Sequence, residues 1–132
     1  MATLSSAKNK YVRDSLQTMS PGRMIVALYD RVILDLDRAE AAITGSDVFG
    51  AHSALMHAQE IVDLLYTSLD TKQWPAGTQL LTVYRTVAAE LVAANVSKDL
   101  ERVRTCRTLL TPLRDAWRQA AGIVAAEGSD VG

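Results

Sequence analysis

The sequence has a single cysteine, a single phenylalanine, three prolines and no long hydrophobic run. Because Cys106 stands alone, it cannot form a disulfide within the chain, which fits a reducing compartment. No segment approaches about 18 uninterrupted apolar residues, so we predict no membrane insertion. The N-terminal residues also lack an apolar core of signal-peptide length, and we therefore expect a cytoplasmic protein.

An excess of charge of either sign is missing as well. The chain carries 14 Lys and Arg residues against 15 Asp and Glu residues, a formal net charge of −1, and the two signs are interspersed. A protein that holds a phosphate backbone needs a basic surface. The charge pattern therefore excludes nucleic acid as a predicted partner.

Apolar residues in helical spacing are abundant. With 132 residues, 48% of them hydrophobic and 22% charged, the chain can bury the core of one domain. Strand patterns and glycine-rich phosphate loops are absent. We divide the chain into an N-terminal segment over residues 1–17, mobile or docked on the body, a bundle over residues 18–125 and a loose tail over residues 126–132.

The first predicted helix has clear signals at both ends. Ser20 can cap it, Pro21 suits its first turn, and Gly45 ends it after about Thr44. Asp30 points away from the apolar stripe of this helix. That stripe, in steps of three and four residues, consists of Ile25, Leu28, Tyr29, Val32, Leu36, Ala39 and Ile43.

The second predicted helix begins after a cap at Asp47 and runs to about Leu69. A loop follows, in which Pro75 and Gly77 break the helical pattern. The predicted core stripe of this helix consists of Val48, Ala51, Leu55, Ala58, Val62, Tyr66 and Leu69.

The third predicted helix ends near Asn95, and a cap at Ser97 or Asp99 starts the fourth. The third places inward Leu80, Tyr84, Val87, Ala88, Leu91 and Val92. The fourth aligns Val103, Cys106, Leu110, Leu113, Trp117, Ala120 and Val124. Pro112 lies inside the fourth helix, so we expect a kink at a cost of about 3 kcal/mol.

Four amphipathic helices with short links favour an all-α fold, an antiparallel four-helix bundle with a short N-terminal helical or extended segment. Enzyme signatures in it are weak. Di-iron bundles bind their metals through Glu-x-x-His pairs, whereas residues 57–60 read His-Ala-Gln-Glu, the reverse order. We therefore predict no metal and no cofactor. Cys106 lies on the inward stripe and is expected to pack rather than to react. The sequence thus predicts a protein that is not an enzyme.

One alternative function comes from His52, because its surroundings faintly echo the phosphorylated-histidine segment of phosphotransfer bundles. Those domains place a Lys and a Gly just after the histidine, whereas Leu55 and Met56 follow here. A histidine phosphotransfer bundle therefore stays as an alternative.

Several apolar residues fall outside the predicted core stripes. A bundle with apolar residues outside its core can offer a groove to an amphipathic partner helix. Scattered surface alanine and leucine are the simpler interpretation for any one position. From helical phase, the candidates for partner contact are Leu34, Ala54, Ile61, Leu64, Ala89 and Ala93.

Short motifs occur in a fixed order over about residues 11 to 120. They are Tyr11, Thr18-Met19-Ser20-Pro21, Leu28-Tyr29-Asp30, Ser68-Leu69-Asp70, Val83-Tyr84, Ala94-Asn95 and Leu113-Arg114-Asp115-Ala116-Trp117. Their combination and spacing resemble the flagellin-specific export chaperone family, FliS. Two features depart from the family pattern: residues 71–77 replace its Gly-Gly-Glu and Asn-Leu segment, and Pro112 interrupts a region that is usually unbroken helix.

The resemblance implies a cytoplasmic chaperone that binds the disordered C-terminal segment of flagellin. Such a chaperone prevents premature polymerisation and keeps flagellin competent for type III export. The flagellar export gate and other flagellar regulators are further candidate partners. In this family the N-terminal segment lies near the client groove, which adds Tyr11 to the candidate contact residues. A general helical adaptor remains an alternative, and so does a homodimer formed through the exposed apolar faces.

Three further residues receive structural roles. Tyr29 is expected to serve helix packing, with its hydroxyl able to reach a polar partner at the edge of the core. Asp30 is expected to pair with Arg31 or with a neighbouring helix. Trp117 is expected to anchor the fourth helix.

Overall fold

The computed structural model describes residues 21–69 and 77–122, and these ranges contain four helices and no strand. The helices are α1 (Pro21–Thr44), α2 (Val48–Ser68), α3 (Gly77–Ser97) and α4 (Leu100–Ala120). The predicted all-α bundle is confirmed, and the predicted ends of the first two helices and the predicted C-terminal end of the third agree within two residues. Gly77, predicted to break the helical pattern, is instead the first residue of α3, and α4 ends at Ala120, four residues before the predicted Val124. Predictions for Ser20, for the loop over residues 70–76 and for Val124 lie outside the described residues.

The turn between α1 and α2 closes α1 with a Schellman motif. The Asp47 N–H donates to the Ala42 carbonyl at 2.7 Å and the Ser46 N–H to the Ile43 carbonyl at 3.1 Å. Ser46 takes the left-handed conformation, with φ of 59°. The Asp47 carboxylate then accepts from the Gly50 N–H at 2.9 Å and caps α2 as predicted.

The turn between α3 and α4 repeats this design. Lys98 takes the left-handed conformation, with φ of 51°, and the Asp99 N–H donates to the Ala94 carbonyl at 3.0 Å. The Asp99 side chain accepts from the Glu101 N–H at 3.0 Å. Of the two predicted caps for α4, Asp99 rather than Ser97 is therefore the one used.

The four helices form a closed ring in which each helix packs against two neighbours. The turns at residues 45–47 and 98–99 are short, so the helices that they join run antiparallel. Contacts between Asp30 near the start of α1 and Arg118 near the end of α4 show the same orientation for the closing pair. The α1–α2 turn, the end of α3 and the start of α4 therefore share one end of the bundle.

The core follows the predicted stripes with a few exceptions. Its largest fully buried side chains come from all four helices and are Tyr29, Tyr84, Leu36, Leu55, Leu91, Leu110, Val32, Val62, Val87 and Val103. Cys106 is buried as predicted. Ile25, Ile43, Tyr66, Leu69, Leu80, Ala88, Leu113 and Trp117 pack partly buried against this core.

Three predicted core residues are exposed instead. Val48 lies in the first turn of α2, beside the solvent-exposed end of the bundle, and Ala120 lies in the last turn of α4. Val92 lies at the outer edge of α3, because the buried face of that helix is centred on Val87 and Leu91 and takes in Ala94 rather than Val92. The predicted inward placement of Val48, Val92 and Ala120 is thus wrong.

Tyr29 lies wholly inside the core, and its hydroxyl is 2.7 Å from the hydroxyl of Tyr84 on α3. Trp117 of α4 packs partly buried against the same core. The expected packing role of Tyr29 is confirmed, but its polar partner Tyr84 lies in the core and not at the edge. Burial raises the pKa of both Tyr29 and Tyr84.

Ion pairs line the seam between α1 and α4. Asp30 accepts from Arg118 at 3.1 Å, so Asp30 pairs with a neighbouring helix and not with Arg31. Arg107 donates to Glu40 at 2.6 Å, and Arg104 reaches the same carboxylate at 3.3 Å. These hydrogen bonds, that of Arg107 above all, hold the pKa of Glu40 below its ordinary value.

Pro112 lies inside α4, which continues as helix from Leu100 to Ala120. The side chain of Pro112 is exposed, whereas Leu113 packs against the core. The helix therefore carries the proline on its outer face.

Candidate partner-binding surface

The structure separates the candidate contact residues into two groups. Leu34, Leu64 and Ala89 are exposed, and Ala93 is partly exposed, so these four can meet a partner. Ala54 and Ile61 are buried at 8% and 6% relative exposure, and their predicted outward placement is wrong. Tyr11 lies outside the described residues.

The burial of Ala54 and Ile61 follows from the width of the contact that α2 makes. This helix packs against α1 on one side and α3 on the other, so its buried face is broader than a single stripe. Ala54, Ile61 and Leu65 belong to that broad buried face, and Ala54 lies beside Ala41 and Ala42 of α1.

A more exposed apolar surface lies on the outer side of α2 and α3. Phe49 is 85% exposed and Val96 is 82% exposed, and Met56 and Val92 are also exposed. Together with Ala89, these residues are called the α2–α3 patch below. Large apolar side chains grouped in this way mark interaction sites more often than isolated ones do.

Hydrogen bonds between the two helices fix the register of the α2–α3 patch. The Asn95 side-chain amide of α3 donates to Nδ1 of His52 on α2 at 3.0 Å, and the Lys98 ammonium donates to the Asn95 side-chain oxygen Oδ1 at 2.8 Å. Because the helices are antiparallel, Met56 and Val92, each about one turn from this contact, lie at the same level. The patch is therefore continuous across both helices.

The charged side chain of Arg85 borders the α2–α3 patch toward the other end of the bundle. Arg85 of α3 donates to the Tyr66 hydroxyl at 3.1 Å, and its guanidinium lies 5.8 Å from the centre of the Tyr66 ring. This contact ties α2 to α3 a second time. The apolar surface thus lies on a pair of helices held in place along their length.

The helical pattern of the sequence does not predict most of the α2–α3 patch. It predicts Val92 as inward, and Phe49 and Met56 each follow a residue of a predicted core stripe by one position. Val96 lies beyond the predicted end of the third helix near Asn95. One available signal was the only phenylalanine of the chain, placed two residues after the Asp47 cap.

The reactive side chains of the described residues are occupied by structural contacts. Cys106 is fully buried, and burial raises the pKa of its thiol to about 12, so a thiolate nucleophile is not available at neutral pH. His52 is exposed and bonded to Asn95. No group of three or more potential metal ligands occurs within residues 21–69 and 77–122.

Among the described helices, none combines the length and the apolar character that a membrane crossing requires. The fold and the surface define a helical bundle with an exposed apolar face.

Comparison with known proteins gives the family. The family model described as flagellar protein FliS matches residues 4–124. The flagellar secretion chaperone FliS of Bacillus subtilis is 27% identical over 110 residues, which cover 83% of this chain and 82% of that protein. The flagellar secretion chaperone FliS of Salmonella typhimurium is 29% identical over 110 residues, which cover 82% of each.

A solved structure has the same fold. The crystal structure of a bacterial flagellar chaperone superposes with a TM-score of 0.72 at 17% identity, covering 89% of this chain and 96% of that one. With the family model matching nearly the whole chain, the protein belongs to the FliS family of flagellar secretion chaperones. This confirms the resemblance, and it confirms the prediction that the chain is a chaperone and not an enzyme.

Proposed function

We propose that this chain binds the disordered C-terminal segment of flagellin in the cytoplasm and keeps it unpolymerised and competent for type III export. The observation that carries the proposal is the exposed α2–α3 patch on a bundle of the FliS family. The export gate and other flagellar regulators are proposed as further partners.

The physical basis is the burial of apolar surface. A flagellin segment that packs as an amphipathic helix can cover Phe49, Val92 and Val96, each of which leaves water in the complex. Coupled folding and binding of this kind buries about 1,000–3,000 Å² but costs about 2–5 kcal/mol in ordering. Binding strong enough to block polymerisation therefore remains reversible without ATP.

The exposed candidates Leu34, Leu64, Ala89 and Ala93 extend the proposed contact surface. Ala54 and Ile61 are buried and therefore belong to the core beneath the proposed contact surface. Tyr11 stays a candidate in the N-terminal segment, which we propose covers the client groove when no client is bound. Deletion of residues 1–17 tests that role, since unchanged client affinity and unchanged exposed apolar surface would contradict it.

The experiment that tests the function is calorimetric titration of the full chain with the isolated C-terminal segment of flagellin from the same organism. We expect binding with a negative heat-capacity change, and circular dichroism should show a gain in helix on mixing. Absence of binding would contradict the proposed function and leave the general adaptor as the working hypothesis.

Two variants locate the contact. Phe49→Asp with Val96→Asp should weaken binding about 10-fold or more, because burying a large apolar side chain is worth about 1.5–3 kcal/mol. Ala89→Glu with Ala93→Glu tests the outer face of α3 and should also weaken binding of the flagellin segment. The matched control is Ala116→Glu, an exposed alanine of α4, which should leave affinity unchanged. Unchanged affinity in both double variants would remove the α2–α3 patch from the proposal.

A further inference from the structure

A cleft of about 570 Å³ opens between α1 and the first half of α2, on the other side of α2 from the α2–α3 patch. It is called the α1–α2 cleft below. Small side chains, among them Ala41, Ala42 and Ala54, line part of it. Charged side chains line the rest, and their pairing decides what the cleft can hold.

The acidic groups of the cleft already have hydrogen-bond partners. Asp35, only 2% exposed, accepts a hydrogen bond from Nδ1 of His57 at 2.5 Å, and its other oxygen lies 3.5 Å from Nε of Arg31. Asp47 accepts from the Gly50 N–H in the cap of α2. Asp35 therefore needs no cation from a ligand, whereas Asp47 accepts a hydrogen bond through one oxygen and keeps its charge.

The arginines of the cleft are not satisfied. Arg38 makes no hydrogen bond or ion pair with any described residue. The only ion pair of Arg31 is the long one to Asp35, and its Nε atom has no hydrogen-bond partner within residues 21–69 and 77–122. Arginines of α4 pair with carboxylates of α1, α3 or α4 itself, as Arg102, Arg104, Arg107 and Arg114 do. Nε of Arg107 also lacks a hydrogen-bond partner among the described residues, but another nitrogen of its guanidinium contacts both Asp37 and Glu40. The difference that marks the cleft is therefore Arg38, which has no carboxylate partner among the described residues.

The excess of donors over free acceptors points to an anionic ligand. We propose that the α1–α2 cleft binds an acidic side chain, Asp or Glu, of the exported segment. This inference rests on the proposed function, and it adds a charged anchor to the apolar contact made by the α2–α3 patch. A carboxylate is the natural partner of an arginine guanidinium, and the pair can form two parallel hydrogen bonds.

The neighbourhood of Arg38 favours a peptide side chain over a free ion. Alanine methyl groups of the cleft can pack against the methylenes of a Glu side chain. Exposed Leu34 lies one turn before Arg38 on α1. A segment that carries an acidic and an apolar residue about one turn apart therefore matches this face of the helix.

The test compares the full-length chain with Arg38→Gln in calorimetric titrations with the C-terminal segment of flagellin, each at low and at high salt. We expect Arg38→Gln to weaken binding about 3- to 10-fold at low salt and to reduce the salt dependence of the affinity. Its fold should be intact, because Arg38 has no partner among the described residues. Arg104→Gln removes the same charge from the α1–α4 seam and should leave the affinity unchanged.

Peptide variants identify the matching residue. Each Asp or Glu of the flagellin segment is replaced in turn by Asn or Gln. One replacement should weaken binding to the wild-type chain by the same factor and should cause no further loss with Arg38→Gln. Additive losses for every peptide variant would overturn the proposal.

The remaining outcomes are distinguishable. If the wild-type chain and Arg38→Gln bind the segment equally, the cleft proposal is wrong and the proposed function stands. If glutarate or inorganic phosphate shifts the Arg38 side-chain NMR signal while Arg38→Gln keeps full affinity for the segment, the cleft holds a small anion and the proposal is also wrong. If the wild-type chain does not bind the segment at all, the proposed function and this inference fail together.

Discussion

The hydroxyl of Tyr29 on α1 and the hydroxyl of Tyr84 on α3 lie 2.7 Å apart across the diagonal of the bundle. Their rings are tilted by 52°, with centroids 6.4 Å apart. Because helices on a diagonal share little other contact, this hydrogen-bonded pair fixes the relative positions of α1 and α3 inside a mostly apolar core.

The first prediction concerns removal of one hydroxyl from this pair. Tyr84→Phe leaves the buried Tyr29 hydroxyl without its partner on α3, and we expect a loss of about 1–3 kcal/mol in the free energy of unfolding. Tyr29→Phe leaves the Tyr84 hydroxyl without its partner on α1 in the same way, so its cost should be similar. Urea denaturation followed by circular dichroism measures both.

The double variant tests whether the two hydroxyls act on each other. With both replaced by Phe, no tyrosine hydroxyl is left without a partner, so the combined loss should be smaller than the sum of the two single losses. Additive losses would mean that the Tyr29–Tyr84 hydrogen bond contributes nothing to stability.

The second prediction is a loss of stability in alkali. Above about pH 10 the tyrosines of the unfolded chain lose their protons, whereas burial keeps Tyr29 and Tyr84 protonated in the folded chain, since their pKa values are raised. The unfolded state then binds fewer protons, and the free energy of unfolding falls by up to about 1.4 kcal/mol per pH unit for each tyrosine. Below pH 10 this contribution to stability is fully present.

Urea midpoints measured from pH 8 to 11 check this dependence. The control is the double variant Tyr29→Phe with Tyr84→Phe, which should lose stability with a shallower slope above pH 10. Equal slopes for the two proteins would show that other groups cause the alkaline transition.

The third prediction concerns the pair that joins α1 to α2. Asp35 is a buried carboxylate whose short hydrogen bond comes from His57. His57→Leu would leave it with only the distant Arg31, at a cost of about 1–3 kcal/mol. Adding Asp35→Leu removes the buried charge and should restore most of that loss. Exposed His52 offers the control, because His52→Ala should change stability by less than about 1 kcal/mol.

Local chemistry is what made much of the fold predictable. The Asp47 cap, the end of α1 at Thr44 and the burial of Tyr29 all follow from residues within one or two turns of each other. These signals act within one helix and its ends, so they do not depend on which helix packs against it. The order and antiparallel course of the helices then follow from the short links between them.

The surface was harder to predict, because exposure depends on how far a neighbouring helix reaches. Ala54 and Ile61 are covered by neighbouring helices, whereas Val92 is left exposed, although all three lie at the edges of their stripes. The Tyr29–Tyr84 hydrogen bond joins residues 55 positions apart, and no local pattern encodes it. The free donors of the α1–α2 cleft are likewise visible only once the carboxylates around them are placed.

The last prediction concerns Pro112, which lies inside α4 with its ring exposed. A proline in a helix interior removes the hydrogen bond to the carbonyl four residues earlier, that of Thr108, and costs about 3 kcal/mol relative to alanine. Pro112→Ala restores that donor but gives the unfolded chain more freedom, worth about 0.4–1 kcal/mol. We therefore expect a net gain of about 2–2.6 kcal/mol in the free energy of unfolding, measured by urea denaturation. Thr108→Ala, an exposed change one turn earlier, should shift it by less than about 0.5 kcal/mol. A loss of stability in Pro112→Ala would mean instead that the packing of Leu113 and Trp117 is adapted to the proline.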